Sequence, residues 1–312
     1  KGGAGLTKRA APPFATRRYA GIELGGTKCI CTLASGPDDI LDQRTIPTRR
    51  PEDTLSAIVA VLQEWHDGKG FDALGIGAFG PIDIDPGSLS YGHVLATPKP
   101  GWPGTDLIEA LARPFNIPCA FDTDVNGAAM AEIHWGSGQG LRDFAYVTVG
   151  TGIGVGLVVH GFPTRGIGHS EAGHIRVPPM AGDDFSSLCP YHDDCVEGLA
   201  SGPAVIARLQ GRSPENIARD DPVWDPIVDS LAKMVHALVC TAGPVRIAMG
   251  GGVLAHQPHL LERIEGALRD SLNGYMALPM DQPYIVVPAL GNQAGPLGTI
   301  ALAIAAQEKA FM

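Results

Sequence analysis

Four side chains that bind soft metals lie close together in the segment 171–197. His174 is followed, after a polar loop that contains prolines and glycines, by Cys189, His192 and Cys195 at C-x2-H-x2-C spacing. Zinc takes four Cys and His ligands in closed structural sites, and it stabilises segments that have too little apolar content to fold alone. We therefore predict a structural Zn²⁺ bound by these four residues. The alternative interpretation is a disulfide between Cys189 and Cys195, or buried thiols beside unrelated histidines.

A candidate catalytic carboxylate lies in the segment 122–126, between a predicted strand and a predicted helix that ends near Trp135. A carboxylate at the end of a strand and the start of a helix is held rigidly, near the partial positive charge of the helix N-terminus, and points into the cleft above the sheet. Asp124 is therefore a candidate catalytic base. The competing interpretation is that Asp122, Asp124 or Asn126 only caps the helix.

A glycine turn between two β-rich runs has the features of a phosphate site. Gly25 and Gly26 leave their backbone N–H groups unhindered at the tip of a hairpin, and Thr27 and Lys28 add a hydroxyl and a positive charge. The carboxylate of Glu23, at the end of the first strand, is placed to hold Mg²⁺ through water beside the phosphates. Glycine and threonine also occur in ordinary hairpin turns, so this motif alone is weak.

Two further glycine turns strengthen the prediction of a nucleotide site. The second turn lies between two strands and comprises Gly150, Thr151, Gly152, Ile153 and Gly154. It is spaced so that it can face the first turn across a cleft. The third turn lies between a strand and a helix and comprises Gly250, Gly251 and Gly252, followed by Val253. Three glycines allow a flat ring to lie against bare backbone, which suits an adenine or a ribose.

The elements that must position these residues form a pattern typical of an α/β protein. The two runs around the first turn and a third strand at 40–47 are expected to be antiparallel, and a helix with one apolar face follows at 51–66. Further strands are predicted at 73–78, 118–121 and 144–149, and another follows the second glycine turn and ends at 160. The last two strands are predicted at 246–249 and 285–289. Further helices are predicted at 105–115, 198–210, 222–242, 257–272 and 294–308.

Composition restricts the class of protein. The chain has 312 residues, of which 45% are hydrophobic and 18% charged, so it is long enough for two packed domains. A formal net charge of −10 argues against sequence-independent binding to nucleic acid or to an anionic membrane, and no apolar run reaches membrane-spanning length. Cysteine ligands need thiolates, which favours a reducing, cytoplasmic compartment. The basic stretch from Lys1 to Arg18 is interpreted as a tail. An organelle transit peptide is the less favoured alternative, because the stretch shows no clear amphipathic period.

Six motifs, taken in order, resemble the ROK family of sugar kinases and repressors, within the hexokinase and actin-like ATPase superfamily. They are ELGGTK at 23–28, TDVN at 123–126, GTGIG at 150–154, EAGH at 171–174, the Cys/His cluster and GGGV at 250–253. The resemblance extends from Tyr19 to the C-terminal helix. Three segments are most similar to the bacterial fructokinase branch: AFGP at 78–81, TPKPGW at 97–102 and CPYHDDC at 189–195.

The resemblance implies a fold and a set of ligands. Two ribonuclease H-like (actin-like ATPase) α/β domains would enclose a cleft, with a zinc-stabilised loop at one side. The N-terminal domain would comprise residues 19–124 and 296–312, the C-terminal domain residues 125–295, and residues 1–18 the tail. The cleft would close over ATP, Mg²⁺ and a hexose, and the protein is expected to be a homodimer.

The resemblance also implies roles for particular residues. Asp124 corresponds to the catalytic base, and His174 would use one ring nitrogen for zinc and the other for a sugar hydroxyl. The sugar-binding positions correspond to Gly80, Thr123, Asp124, Glu171, His174 and Glu197. The phosphate loops correspond to 25–27 and 150–154, and the adenosine loop to 250–253. Thr123 stands where glucokinases usually have Asn, and Glu23 where the family usually has Asp; both departures fit fructokinase-like members better.

Two classes of function follow from this resemblance. The first is an ATP-dependent kinase that makes fructose 6-phosphate, with glucose, mannose or N-acetylated amino sugars as less favoured acceptors. The second is a sugar-responsive transcriptional regulator, a binding protein rather than an enzyme. Such regulators carry an N-terminal helix-turn-helix domain of some tens of residues. The 18 residues before Tyr19 show no such pattern, so the kinase is the expected function.

Overall fold

The computed structural model describes residues 17–310, which form two five-stranded mixed sheets. The predicted tail falls almost entirely outside these residues. The first sheet has the order β3-β2-β1-β4-β5, and its antiparallel hairpins are followed by two strands parallel to β1. Its strands are β1 (Tyr19–Leu24), β2 (Lys28–Gly36), β3 (Asp39–Pro47), β4 (Ala73–Ala78) and β5 (Cys119–Thr123).

The second sheet repeats the plan of the first. Its order is β10-β9-β6-β7-β8, with an antiparallel pair at β6 and β7 and parallel pairing of β9 with both β6 and β10. Its strands are β6 (Phe144–Val149), β7 (Ile153–Val159), β8 (Phe162–Pro163), β9 (Arg246–Gly250) and β10 (Ile285–Val286). The α/β class with two related halves is thus confirmed, and each glycine turn from the sequence joins or ends strands.

Helices cover the faces of both sheets. Those of the described residues are α1 (Pro51–Gly68), α2 (Leu107–Leu111), α3 (Asp124–Trp135), α4 (Val196–Ala200), α5 (Gly202–Leu209), α6 (Asp225–Ala242), α7 (Gly252–His256), α8 (His259–Leu272) and α9 (Ala294–Ala310). The single helix predicted at 198–210 is divided into α4 and α5. Ser201 adopts an extended backbone there, and Pro203 fits the first turn of the second helix because its missing N–H is not needed in a first turn.

Helices α3 and α9 form the contact between the two halves. Helix α9 packs against β1, β4 and β5 of the first sheet, whereas α3 packs against β6 and β7 of the second, and the two helices pack against each other. They meet at Gly127 and Gly298, where a Cβ built on Gly298 would lie only 2.4 Å from the carbonyl carbon of Gly127. The final helix therefore returns to the first sheet. The predicted boundaries of two domains at 124 and 296 stay a prediction.

Within residues 17–310, no helix is both long and apolar enough to span a lipid bilayer.

The contact between Gly127 and Gly298 predicts a specific effect of substitution. Gly298→Ala should lower the free energy of unfolding by about 1–3 kcal/mol, because the added methyl group must push the two helix backbones apart. Gly266→Ala is the matched control, since Gly266 also lies inside a helix but a Cβ there meets nothing within 4 Å. The control should be neutral or stabilising by up to about 1 kcal/mol. Urea denaturation of both variants measures the difference; equal stabilities would contradict the prediction.

Candidate active site

Asp124 lies at the first residue of α3, at the junction of the two halves. The helix is capped by Thr123, whose hydroxyl oxygen accepts a hydrogen bond of 3.1 Å from the N–H of Asn126. Asp124 is therefore not the capping residue, although one of its carboxylate oxygens accepts from the N–H of Val125 at 2.8 Å. Burial raises the pKa of Asp124 to about 6. A half-buried carboxylate with this pKa suits a general base that works near neutral pH.

Asp122, two residues earlier, points to different partners. Its carboxylate accepts hydrogen bonds from the side-chain amide of Asn126 at 2.8 Å and from the N–H of Thr123 at 2.7 Å, and it forms an ion pair with Arg165. Asp122 still belongs to β5, whereas Asp124 is the first residue of α3, so the chain turns from strand into helix between them. Of these two aspartates, Asp122 has its charge compensated by Arg165, and Asp124 lines the cleft.

A cavity of about 450 Å³ lies in front of Asp124, between the two sheets. Glu23 and Lys28 line it from the first sheet, and Tyr146 and Thr148 from the second. Burial and then the nearby charge of Asp124 raise the pKa of Glu23 to about 7, and its Oε2 atom is buried without a hydrogen-bond partner among the described residues. An unpaired buried carboxylate oxygen beside a second carboxylate is a donor set that suits a hard divalent cation.

The sugar-binding candidates lie at another part of the same cleft. Glu197 accepts a 2.9 Å hydrogen bond from the N–H of Ile153 and lies 3.8 Å from Nε2 of His174. About 45% of the Glu171 side-chain surface faces open space. Even so, partial enclosure, followed by the charges of Glu197 and Asp124, raises the pKa of Glu171 to about 7. The structure thus brings Asp124, Glu171 and Glu197 within electrostatic reach of one another.

The four predicted zinc ligands converge. Sγ of Cys189 lies 3.8 Å from Nδ1 of His174 and 3.5 Å from Nδ1 of His192, and Sγ of Cys195 lies 3.7 Å from Nδ1 of His174. All four donor atoms lie within 4.8 Å of one another. Tetrahedral Zn²⁺ with its usual bond lengths requires sulfur and nitrogen ligands about 3.6 Å apart. Cys189 and Cys195 are both free thiols, so a disulfide between them is absent and the spacing fits a metal.

A second cavity, of about 760 Å³, lies next to the second and third glycine turns. Thr151 and Gly252 stand at its edge, and most of its other lining residues are apolar. These include Pro203, Val205, Ile206, Ile217, Trp224 and Val253. Its size and apolar lining suit a nucleobase with its ribose. Gly251 instead lines the first cavity, and Gly250 is the last residue of β9 and lies against Pro288.

The two predicted phosphate turns are both tight. The N–H of Gly25 donates to the carbonyl of Lys28 at 3.1 Å, which places Gly26 and Thr27 at the tip of the hairpin. In the second turn the N–H of Gly150 donates to the carbonyl of Gly152 at 2.9 Å. Glu197 approaches Gly152 closely, since a Cβ built on Gly152 would lie 2.6 Å from Oε2 of Glu197. The second turn thus contacts the carboxylate of Glu197 directly.

Three residues around the site were not predicted from the sequence. The ammonium of Lys99 donates to the carbonyl of Gly26 and lies 5.5 Å from the centroid of the Phe79 ring. Arg165 pairs with Asp122, and His169 accepts a hydrogen bond from the N–H of Ile82 at 3.1 Å. Each of these contacts joins segments far apart in the chain, so no local pattern reveals them. The only local signal is the position of His169 two residues before Glu171.

Comparisons with known proteins place the chain in a family. The ROK family model matches residues 19–306. The fructokinase of Pediococcus pentosaceus is 40% identical over 289 residues, which cover 93% of this chain and 98% of that protein. The fructokinase of Zymomonas mobilis is 39% identical over 300 residues, with coverage of 93% and 98%. The crystal structure of a ROK family glucokinase from Streptomyces griseus, in complex with glucose and AMPPNP, has a TM-score of 0.75 at 27% identity and covers 92% of this chain and 99% of that one.

The carboxylates of the cleft predict how stability depends on pH. The folded-state pKa of Glu23 lies near 7, above its ordinary value of 4.5. Its contribution to stability is therefore complete below about pH 4.5 and is lost as the pH rises through 7, when a buried charge must form. Without added magnesium, the melting temperature should fall between pH 5 and pH 8. Glu23→Gln should reduce that fall, as measured by calorimetry.

Glu262→Gln is the control for this measurement. Glu262 is an exposed carboxylate in the first turn of α8, so its replacement should leave the dependence of the melting temperature on pH as it is in the parent protein. If the melting temperature of Glu23→Gln depends on pH in the same way as that of Glu262→Gln, the raised pKa of Glu23 does not cause the fall, and the prediction is wrong.

Proposed function

The chain belongs to the ROK family, and from that membership we propose that it is an ATP-dependent fructokinase that converts D-fructose to fructose 6-phosphate. The observation that carries the proposal is the identity of 36–40% with several fructokinases over more than nine tenths of the chain. Thr123 and Glu23, which depart from the usual glucokinase residues, support the same acceptor. Glucose, mannose and N-acetylated amino sugars are the less favoured alternatives.

In this proposal Asp124 is the catalytic residue that accepts the proton of the sugar hydroxyl. Phosphoryl transfer asks little covalent chemistry of a protein, because most of the catalysis is orientation and stabilisation of charge. The position of Asp124 at the start of α3 fixes its carboxylate beside the cavity that Glu23 and Lys28 line. The proton leaves the hydroxyl for the free carboxylate oxygen as the sugar oxygen attacks the terminal phosphorus of ATP and the bond to the β-phosphate oxygen breaks.

The phosphates of ATP are proposed to lie between the first and second glycine turns, with the adenosine in the 760 Å³ cavity. Mg²⁺ would be held beside the phosphates, through water, by Oε2 of Glu23, which has no hydrogen-bond partner among the described residues. The ion would neutralise charge on the transferring phosphoryl group. Transfer in a closed cleft excludes water, which would otherwise compete with the sugar hydroxyl. The turns belong to different sheets, so closure of the cleft would bring them together around one nucleotide.

The sugar is proposed to bind to Gly80, Thr123, Glu171, His174 and Glu197. His174 connects this group to the metal cluster, since its Nδ1 faces the two cysteines and its Nε2 faces Glu197. A Zn²⁺ bound by His174, Cys189, His192 and Cys195 would have no open position for water, so it would shape the loop and not take part in the reaction. The cytoplasmic location and the homodimer stay predictions.

Replacement of Asp124 tests the assignment of the base. Asp124→Asn keeps the size of the side chain but removes the basic oxygen, so kcat should fall by about 10² to 10⁴-fold, the usual contribution of a general base. The affinity for fructose should change little. In the parent protein, kcat/KM for fructose should decrease below about pH 6, the pKa of Asp124. A coupled assay of ADP release over a panel of hexoses measures turnover and also tests the acceptor.

Asp122→Asn is the control. It weakens the ion pair with Arg165 and should lower thermal stability, but the base and most of the turnover should remain. Equal losses of kcat in the two variants, or nearly full activity in Asp124→Asn, would defeat the assignment. Glucose as the preferred acceptor in the panel would defeat the fructokinase proposal, and no ADP release with any hexose would favour a regulator.

Zinc is tested by elemental analysis of protein purified without added metal. One equivalent of zinc per chain is expected, because four converging donors bind Zn²⁺ tightly. Cys195→Ser should reduce the zinc content, the thermal stability and the fructose affinity together, and nucleotide affinity should suffer less. Cys240→Ser is the control, since Cys240 is an exposed free thiol outside the cluster. A stable, metal-free parent protein would disprove the site.

A further inference from the structure

One segment of the second half reaches across to the first half beside the sugar-binding carboxylates. This segment, residues 164–171, follows β8 and is called the strap here. Near its start, Arg165 forms an ion pair with Asp122 at the end of β5. Near its end, Nε2 of His169 accepts a 3.1 Å hydrogen bond from the N–H of Ile82, which lies just after β4. Two separate contacts therefore fix the strap on the first half, and its last residue is Glu171.

The hydrogen bond from Ile82 determines which tautomer His169 adopts. Its Nε2 atom accepts a backbone N–H, so that nitrogen carries no proton and the proton must be on Nδ1. The side chain is only 4% exposed, and burial lowers the pKa of His169, which keeps the ring neutral. His169 thus presents one fixed N–H donor to the interior of the cleft.

Two acceptors lie within reach of that donor. Nδ1 of His169 is 3.4 Å from Oε1 of Glu171 and 3.4 Å from the carbonyl oxygen of Ser170. Of the two, only the contact with the Ser170 carbonyl meets hydrogen-bond geometry in this structure. When it is ionised, the Glu171 carboxylate is the stronger acceptor, because hydrogen bonds to a charged group are about twice as strong as those between neutral groups. Such contacts are often long in the absence of substrate and shorten when it binds.

Gly80 shows how closely these groups are packed. A Cβ built on Gly80 would lie 2.6 Å from Oε1 of Glu171 and 2.8 Å from Cε1 of His169. The same carboxylate oxygen therefore lies between the imidazole ring and the backbone of the loop after β4. With Oε1 enclosed there, Oε2 is the oxygen of Glu171 that remains for a ligand.

We propose that His169 is a positioning residue of the sugar site, which holds Oε1 of Glu171 so that Oε2 keeps one orientation toward a sugar hydroxyl. The role rests on the proposed sugar phosphorylation and extends it to a residue that contacts the sugar only through Glu171. His169 also makes this orientation depend on the contact between the halves, because its other nitrogen is bound to Ile82.

The test compares His169→Phe with His169→Gln. Phenylalanine fills the volume of the ring but has no donor or acceptor, whereas the amide of glutamine can accept from Ile82 and donate to Glu171 at once. The KM for the sugar should rise by about 10- to 100-fold in His169→Phe, the effect of one lost hydrogen bond to a charged group. In His169→Gln it should stay within about threefold of the parent value, and the KM for ATP and kcat at saturation should change little in both.

Two measurements separate this role from general damage to the fold. Zinc content and melting temperature should be close to those of the parent in His169→Gln. If His169→Phe does not fold, His169→Asn replaces it, since the shorter amide cannot reach Ile82 and Glu171 together and should also raise KM. In a Glu171→Gln background the same His169 substitution should have a much smaller effect, because residues that act as one unit are not additive.

Several results would overturn the proposal. One is an equal rise in the KM for the sugar in His169→Phe and His169→Gln, and another is an unchanged KM for the sugar in His169→Phe. The third is a change in kcat or in the KM for ATP that is as large as the change in the KM for the sugar. All ratios are measured with the hexose that the parent protein phosphorylates fastest. If the panel shows that fructose is not the preferred hexose, the effect of the His169 substitutions can still be measured. A wrong fructose assignment and a wrong role of His169 are therefore distinguishable.

Discussion

The close backbone contact between α3 and α9 is the constraint on which the rest of the structure depends. Gly127 and Gly298 let the two helices approach without intervening side chains, and Gly75 and Gly156 let each helix lie directly on its own sheet. A Cβ on Gly75 would lie 1.8 Å from the carbonyl oxygen of Thr299. Neither helix can shift without moving a sheet, since close-packed interiors transmit strain. Asp124, at the start of α3, is therefore fixed relative to both halves. At the other end of the helix, the buried carboxylate of Glu132 accepts the N–H groups of Ala289 and Leu290, where the chain returns toward α9.

The same packing concentrates negative charge, and that charge is the property the site needs. Glu23, Asp124 and Glu171 all have pKa values raised toward neutrality, mainly because the cleft removes them from water. For Glu23 and Glu171, the charge of nearby carboxylates raises the pKa further. Each charge destabilises the empty protein at neutral pH. The arrangement is favourable only once a cation, or hydroxyl groups that donate hydrogen bonds, enter the cleft. Binding energy of the ligands thus compensates the electrostatic cost of folding the empty site.

Much of this architecture follows from local sequence, and the exceptions have a common cause. Strands β4 and β6 and the end of α3 at Trp135 match the predicted ranges, because glycine, proline and apolar periodicity are local signals. The last strand was predicted at 285–289 but β10 ends at Val286, since the N–H groups of Ala289 and Leu290 are bound by Glu132, more than 150 residues away. Likewise, nothing near Ile82 indicates that His169 will accept its N–H across 87 residues. The sequence therefore reveals the groups that are candidates to contact a ligand, but not the supporting residues, such as Glu132 and His169, that hold those segments in place.

The loop that carries Cys189, His192 and Cys195 shows how such supporting residues connect distant parts of a site. In the proposed zinc site, Nδ1 of His174 would bind the metal, which orients the ring so that Nε2 faces Glu197. Glu197 in turn accepts a hydrogen bond from the N–H of Ile153 in the second glycine turn.

A second attachment holds the loop independently of the metal. Arg208 forms a two-bond ion pair with Asp183 at 2.8 and 2.9 Å, both side chains are less than one tenth exposed, and the guanidinium lies 4.0 Å from the centroid of the Phe185 ring. Loss of the proposed Zn²⁺ would therefore free His174 and Glu197 before it freed the whole loop. Since Glu197 contacts both His174 and the turn that follows β6, the metal would influence the sugar end of the cleft more strongly than the cavity proposed for adenosine.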